Sequence, residues 1–157
     1  LIKNAISNPK ELFIGVEVYL NGIANVLTTI SKYKLKNIIL SNLNGFYFLE
    51  ALSYKSVDKI FIINPDPWLK KRHNKRRILN DEIINYLTKI CKSKNSTYIT
   101  TDSESYVRYV KNLLISNQGA VGDFQLRILS ENDELYGISR YQNKAISKGN
   151  KIYLLTF

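Results

Sequence analysis

Short runs of apolar, β-branched residues alternate along this chain with stretches whose apolar residues recur at helical spacing, and that alternation is what most limits the possible fold. LFIGVEV (12–18) and VDKIFII (57–63) are bounded by turn or charged residues, the pattern of parallel strands buried on both faces. NIIL (37–40), STYITT (96–101), FQLRIL (124–129) and KIYLLTF (151–157) read as further strands. Between them, 22–33 places Ile23, Val26, Leu27 and Ile30 on one helical face, and 79–90 does so with Leu79, Ile83, Ile84, Leu87 and Ile90. A third helix, 103–115, opens behind Asp102 or Ser103 as N-cap and turns Tyr106, Val107, Val110, Leu113 and Leu114 inward. Such alternation predicts an α/β protein whose open sheet carries helices on both faces. At 157 residues and 45% hydrophobic content, one domain over 1–157 is expected. The stretch 130–150 receives no assignment.

The formal net charge of +10 calls for a polyanionic partner, either nucleic acid or an anionic membrane face. No apolar run approaches the roughly 20 residues that span a bilayer, and LIKNAISNPK is not built as a signal peptide, so a soluble protein is expected. The single Cys91 forms no internal disulfide and no His/Cys cluster has metal-ligand spacing, which sets the expectation of a reducing, cytoplasmic setting and a metal-free site. Methionine is absent even at position 1, so the chain is expected to be an N-terminally truncated piece of a longer protein.

Two places carry chemistry. Glu17, at the end of the first strand run, sits where the nucleotide-binding βαβ plan puts a ribose-binding acid, about 20 residues after a glycine turn that would then precede residue 1. Taken alone, such an acid is more often a solvated strand edge. The second place is INPDPWLKKRHNKRRI (63–78), where Asp66 stands between two prolines and ahead of the densest positive run, Lys70 to Arg77. Pro65 and Pro67 bias Asn64 and Asp66 away from helical angles and give a stiff, extended loop. The C-terminal ends of parallel strands are where open α/β sheets bind ligands, and the Arg and Lys after this one can grip phosphates. Trp68 is expected to pack on the sheet rather than stack on a base.

FIGVEVYLNGIANVL, NPDPWLKKRHNKRR, TTDSESYV and SRYQNKAISKGNKIYLLTF together resemble the successive motifs of the bacterial tRNA (guanine-N7)-methyltransferases, in order and over essentially the whole chain. The resemblance implies the doubly wound methyltransferase (Rossmann-like) sheet with a final antiparallel strand, S-adenosylmethionine as methyl donor, and N7 of a guanine in the variable loop of tRNA (guanine-46 type) as acceptor. It makes Glu17 the ribose-binding acid and places Asn44 where the family has an aspartate near the adenine. It makes Asp66 the acid at donor and guanine, Lys70 a substrate contact, and Arg72, His73, Asn74, Lys75, Arg76 and Arg77 the RNA-contacting run. Asp102 matches another substrate-binding acid, and Ser139, Arg140, Tyr141 and Gln142 stand at the family's Thr-Lys-Phe-Glu substrate motif. Asn44 and Gln142 are amides where the family has acids. Without the glycine turn this stretch alone is expected to be inactive, the full-length parent active.

Two other functions stay open. Asn64-Pro65-Asp66-Pro67-Trp68 loosely echoes the Asn-Pro-Pro-aromatic loop of amino-group methyltransferases, although Asp66 and the basic run set it apart. The chain is also compatible with a non-catalytic RNA-binding remnant.

Overall fold

The computed structural model describes residues 1–157. The chain divides into two compact units, Leu1–Ala51 and Leu52–Phe157.

The first unit runs α1 (Ile2–Ser7), β1 (Phe13–Val16), α2 (Leu20–Tyr33), β2 (Ile38–Ser41) and α3 (Gly45–Glu50). β1 and β2 pair in parallel, Phe13 opposite Ile38 and Val16 opposite Ser41. The turn that leads from α1 into β1 is gathered by one side chain: the Asn37 amide donates to the carbonyls of Ala5, Asn8 and Glu11 at 3.0 to 3.1 Å. α2 ends on Lys34 in the left-handed conformation, its N–H bonded to the Ile30 and Ser31 carbonyls. The apolar stripe expected on this helix forms but is not sealed, since no residue of α2 is fully buried and Leu27 is exposed. A two-stranded sheet offers too little area to cover it.

The second unit runs β3 (Ile60–Ile63), a 3₁₀ helix (Lys71–Arg76), α4 (Asp81–Ile90), β4 (Thr97–Thr101), α5 (Glu104–Ser116), α6 (Gln118–Val121), β5 (Gln125–Ile128), α7 (Arg140–Ile146) and β6 (Tyr153–Thr156). Its sheet has the order β3-β4-β6-β5: β3 and β4 are parallel, while β6 is antiparallel to both neighbours. The six expected strands are all present, in two hydrogen-bonded sheets rather than one, and β1 and β3 each have one edge without a ladder partner.

The main core belongs to this unit. α4 buries Ile83, Ile84, Leu87 and Ile90, and α5 buries Tyr106, Val107, Val110, Leu113 and Leu114, as the helical spacing demands. Asn80 caps α4 through the Ile83 N–H at 2.9 Å, with Asp81 and Glu82 in the first turn favouring the helix dipole. The stretch 130–150 holds a turn in which Asp133 accepts from the Ser130 N–H, followed by α7 and a cluster of Leu129, Ala145, Ile152 and Leu154. That helix begins with a Ser-x-x-Gln pattern, a capping-box signal legible in the sequence.

Candidate active site and RNA-facing loop

In the first unit, Glu17 and Asn44 follow the C-terminal ends of the two parallel neighbours β1 and β2, and both are exposed. The Glu17 backbone continues the ladder by donating to the Ser41 carbonyl at 3.0 Å. Its carboxylate Oε1 accepts from the Tyr19 N–H at 2.9 Å, leaving Oε2 available. Gly22 makes room for it: a Cβ there would lie 3.3 Å from Glu17 Cγ. Asn44 is the N-cap of α3, its Oδ1 accepting from Phe46 N at 2.9 Å. The carbonyl is thus engaged in capping, and the free group is the amide donor.

In the second unit, β3 ends at Ile63 and Asn64 still donates its N–H to the Thr100 carbonyl at 2.9 Å. The chain then turns sharply. Asn64 and Trp68 both have positive φ, 47° and 43°, a conformation that Asn tolerates and a bulky aromatic residue rarely adopts. Exposed Asp66 stands between them. In the 3₁₀ helix that follows, residues three apart lie above one another. One ridge faces Trp68: His73 packs edge-on to the indole at 5.6 Å, and the Arg76 guanidinium sits 5.0 Å over it. Trp68 is thus held by its own basic helix, where the sequence reading set it on the sheet. Arg72 and Lys75 form another ridge and are exposed, as are Lys70 and Asn74.

Arg77 departs from the expected RNA-contacting run. Its Nε donates to the Pro67 carbonyl at 2.9 Å and an Nη to the Trp68 carbonyl at 3.3 Å, and its guanidinium lies 4.2 Å over the Tyr109 ring. The Tyr109 hydroxyl is fixed in turn on the Leu79 carbonyl at 2.7 Å. Burial pushes the Tyr109 hydroxyl pKa up, against the nearby Arg77 charge, which lowers it. Arg77 is therefore spent on the protein's own loop.

Asp102 is not the helix cap. Ser103 caps α5 through the Tyr106 N–H, leaving the Asp102 carboxylate with only a long contact of 3.4 Å from Asn150. In the motif opening α7, Ser139 caps the helix, and Arg140 and Tyr141 are exposed. Gln142, which the resemblance places in the substrate motif, is 0% exposed. Its Oε1 accepts from the Ile138 N–H at 3.2 Å, its Nε2 donates to Thr100 Oγ1 at 3.2 Å, and Thr100 Oγ1 donates to Asn64 Oδ1 at 3.1 Å. A backbone N–H can only donate, so Ile138 fixes the direction of the whole chain and leaves the Asn64 amide nitrogen buried without a partner.

Residues 1–155 match the family model described as putative methyltransferase. The chain belongs to this methyltransferase family. Among similar curated proteins, the tRNA (guanine-N(7)-)-methyltransferase of Wolbachia pipientis wMel is 29% identical over 153 residues, covering 97% of this chain and 66% of that protein. The bifunctional methyltransferase of Rickettsia bellii (strain RML369-C) is 43% identical over 125 residues, covering 80% of this chain and 22% of that protein. The chain thus spans 22% and 66% of the length of these two relatives. Among solved structures, the 30S ribosomal A1408 methyltransferase from an uncultured bacterium matches with a TM-score of 0.62 at 24% identity, over 99% of this chain and 79% of that one, a likeness of fold. As a methyltransferase-family chain it has the doubly wound, Rossmann-like α/β fold with an antiparallel strand, here β6.

Proposed function

We propose that this chain supplies the nucleoside-facing and RNA-facing parts of an S-adenosylmethionine-dependent tRNA methyltransferase acting on N7 of a guanine of the variable loop, the guanine-46 type. The observation that carries the reading is the loop after β3: an exposed carboxylate, Asp66, set between two left-handed residues and followed at once by a 3₁₀ helix with Arg72 and Lys75 exposed. A fixed acid next to a phosphate-gripping surface suits a nucleic-acid base as acceptor.

The residues of the first unit fit the donor's nucleoside half. Glu17 Oε2 is available for ribose hydroxyls, and the free amide of Asn44 can donate to an adenine ring nitrogen. S-adenosylmethionine, when bound, supplies a methyl group on a sulfonium; the guanine N7 lone pair forms the new N–C bond as the C–S bond breaks, and a thioether leaves. N7 carries that lone pair without prior deprotonation, so no residue has to act as base. Asp66 orients the guanine and stabilises the positive charge that develops on it, a preorganised electrostatic role. Arg72, Lys75, Lys70 and Lys71 hold phosphates. Asp102, Arg140 and Tyr141 are the further substrate-facing groups of this reading.

The test uses the full-length protein, tRNA and labelled donor, with chemical cleavage at 7-methylguanosine as readout. The expected result is label at a variable-loop guanine, with Asp66→Asn lowering single-turnover transfer by on the order of 10²-fold while tRNA affinity stays nearly constant. Label on an exocyclic nitrogen or on protein would replace this reading with the amino-group methyltransferase, and RNA binding without transfer would leave a binding remnant.

A further inference from the structure

We infer that Arg77 is a positioning residue for Asp66, resting on the reading of Asp66 given above, and that it takes no part in holding RNA. The loop Asn64–Trp68 is hard to fasten by its backbone. Pro65 and Pro67 have no N–H, so between β3 and the 3₁₀ helix the carbonyls are the main backbone handles. The two that follow Asp66 most closely are both taken by one guanidinium, Pro67 at 2.9 Å and Trp68 at 3.3 Å.

That grip falls where the backbone needs it. Trp68 at φ 43° is a conformation that a bulky residue keeps only when its surroundings impose it. At the other end of the loop, Asn64 is held by Thr100 through both its backbone N–H and its side-chain oxygen. Asp66 is therefore slung between two fixed points, one on β4 and one on Arg77. The second is itself anchored, because the guanidinium lies 4.2 Å over Tyr109, whose hydroxyl is tied to the Leu79 carbonyl just ahead of α4.

Only arginine fits this place. A planar fork delivers two N–H groups in a fixed geometry while stacking on an aromatic face, and a lysine ammonium does neither. With Nε and one Nη engaged, Arg77 is also the member of the basic run least free to meet a phosphate, unlike exposed Arg72 and Lys75.

The experiment compares Arg77→Lys, Asp66→Asn and the double variant in the full-length protein, with the thermal midpoint recorded for each. Arg77→Lys keeps the charge, so the expected result is single-turnover methylation slowed by roughly tenfold or more, with S-adenosylhomocysteine affinity and the slope of log tRNA affinity against log salt unchanged. Because Arg77 acts through Asp66, the double variant should be no slower than Asp66→Asn beyond about twofold. A salt slope shallower by nearly one unit in Arg77→Ala, measured alongside these, would make Arg77 a phosphate contact and overturn the inference. So would a parental rate with only a lowered thermal midpoint, or multiplicative effects in the double variant. Asp66→Asn at the parental rate would remove the Asp66 reading and this inference together, whereas a slow Asp66→Asn beside a fast Arg77→Lys would remove this inference alone.

Discussion

Glu17 shows how little of a proposed binding residue's meaning lies in its own identity. In the sequence, taken alone, it is an acid at a strand end and more often a solvated edge. In the structure one oxygen is held by the Tyr19 N–H and Gly22 clears the space beside it, so the carboxylate is held in one place. Glu17→Gln removes the charge and keeps the shape. In the full-length protein it is expected to weaken S-adenosylhomocysteine binding by about tenfold, the size of a hydrogen bond to a charged group, with tRNA affinity untouched. Calorimetry measures both, and equal donor affinity in variant and parent would return Glu17 to a strand edge. Asn44 teaches the complementary lesson. Its type is readable in the sequence, but that its carbonyl would be used by the Phe46 N–H depended on α3, a helix that periodicity did not reveal.

The elements that carry apolar periodicity were legible and the irregular ones were not. α4 and α5 bury the faces their spacing dictates because a 3.6-residue period leaves one stripe to meet the sheet. The 3₁₀ helix has no such stripe. Its residues are almost all basic or polar, so the sequence shows a charge run and conceals which cation points where. The structure sorts them: His73 and Arg76 on Trp68, Arg77 on the loop carbonyls, Arg72 and Lys75 exposed. Replacing Arg72 and Lys75 together by Ala is expected to lower tRNA affinity and to flatten its salt dependence by roughly 0.7 to 0.9 in log–log slope for each phosphate no longer gripped. Filter binding across a salt series reads this directly. A slope equal to the parent's would show that this ridge does not touch RNA.

At the scale of the whole molecule, strand existence and the α/β class followed from the sequence because each strand is a discrete β-branched run. The division into two sheets did not, since ladder pairing depends on which edges meet. No helix is long and apolar enough to cross a membrane. The chain of hydrogen bonds from Ile138 through Gln142 and Thr100 to Asn64 joins α7, β4 and the end of β3, and it amounts to a one-way relay whose direction Ile138 sets and the Gln142 Nε2 nitrogen passes on. Exchange that nitrogen for oxygen, as in Gln142→Glu, and the relay becomes reversible. While protonated, the introduced carboxyl still hands a hydrogen to Thr100; once ionised, it accepts from Thr100, and the Asn64 amide must turn over to follow. Burial would raise this carboxyl above the ordinary value of about 4.3, so the folded state would bind a proton that the unfolded state releases. Stability of the variant, unlike that of the parent, is then expected to fall as pH rises from that ordinary value through the raised one, which thermal unfolding across the range would detect. A variant whose pH dependence matches the parent's would mean that the introduced carboxyl keeps its ordinary value in the folded state. The amide at position 142 thus holds the loop that bears Asp66 indifferent to pH where a carboxyl would make it responsive.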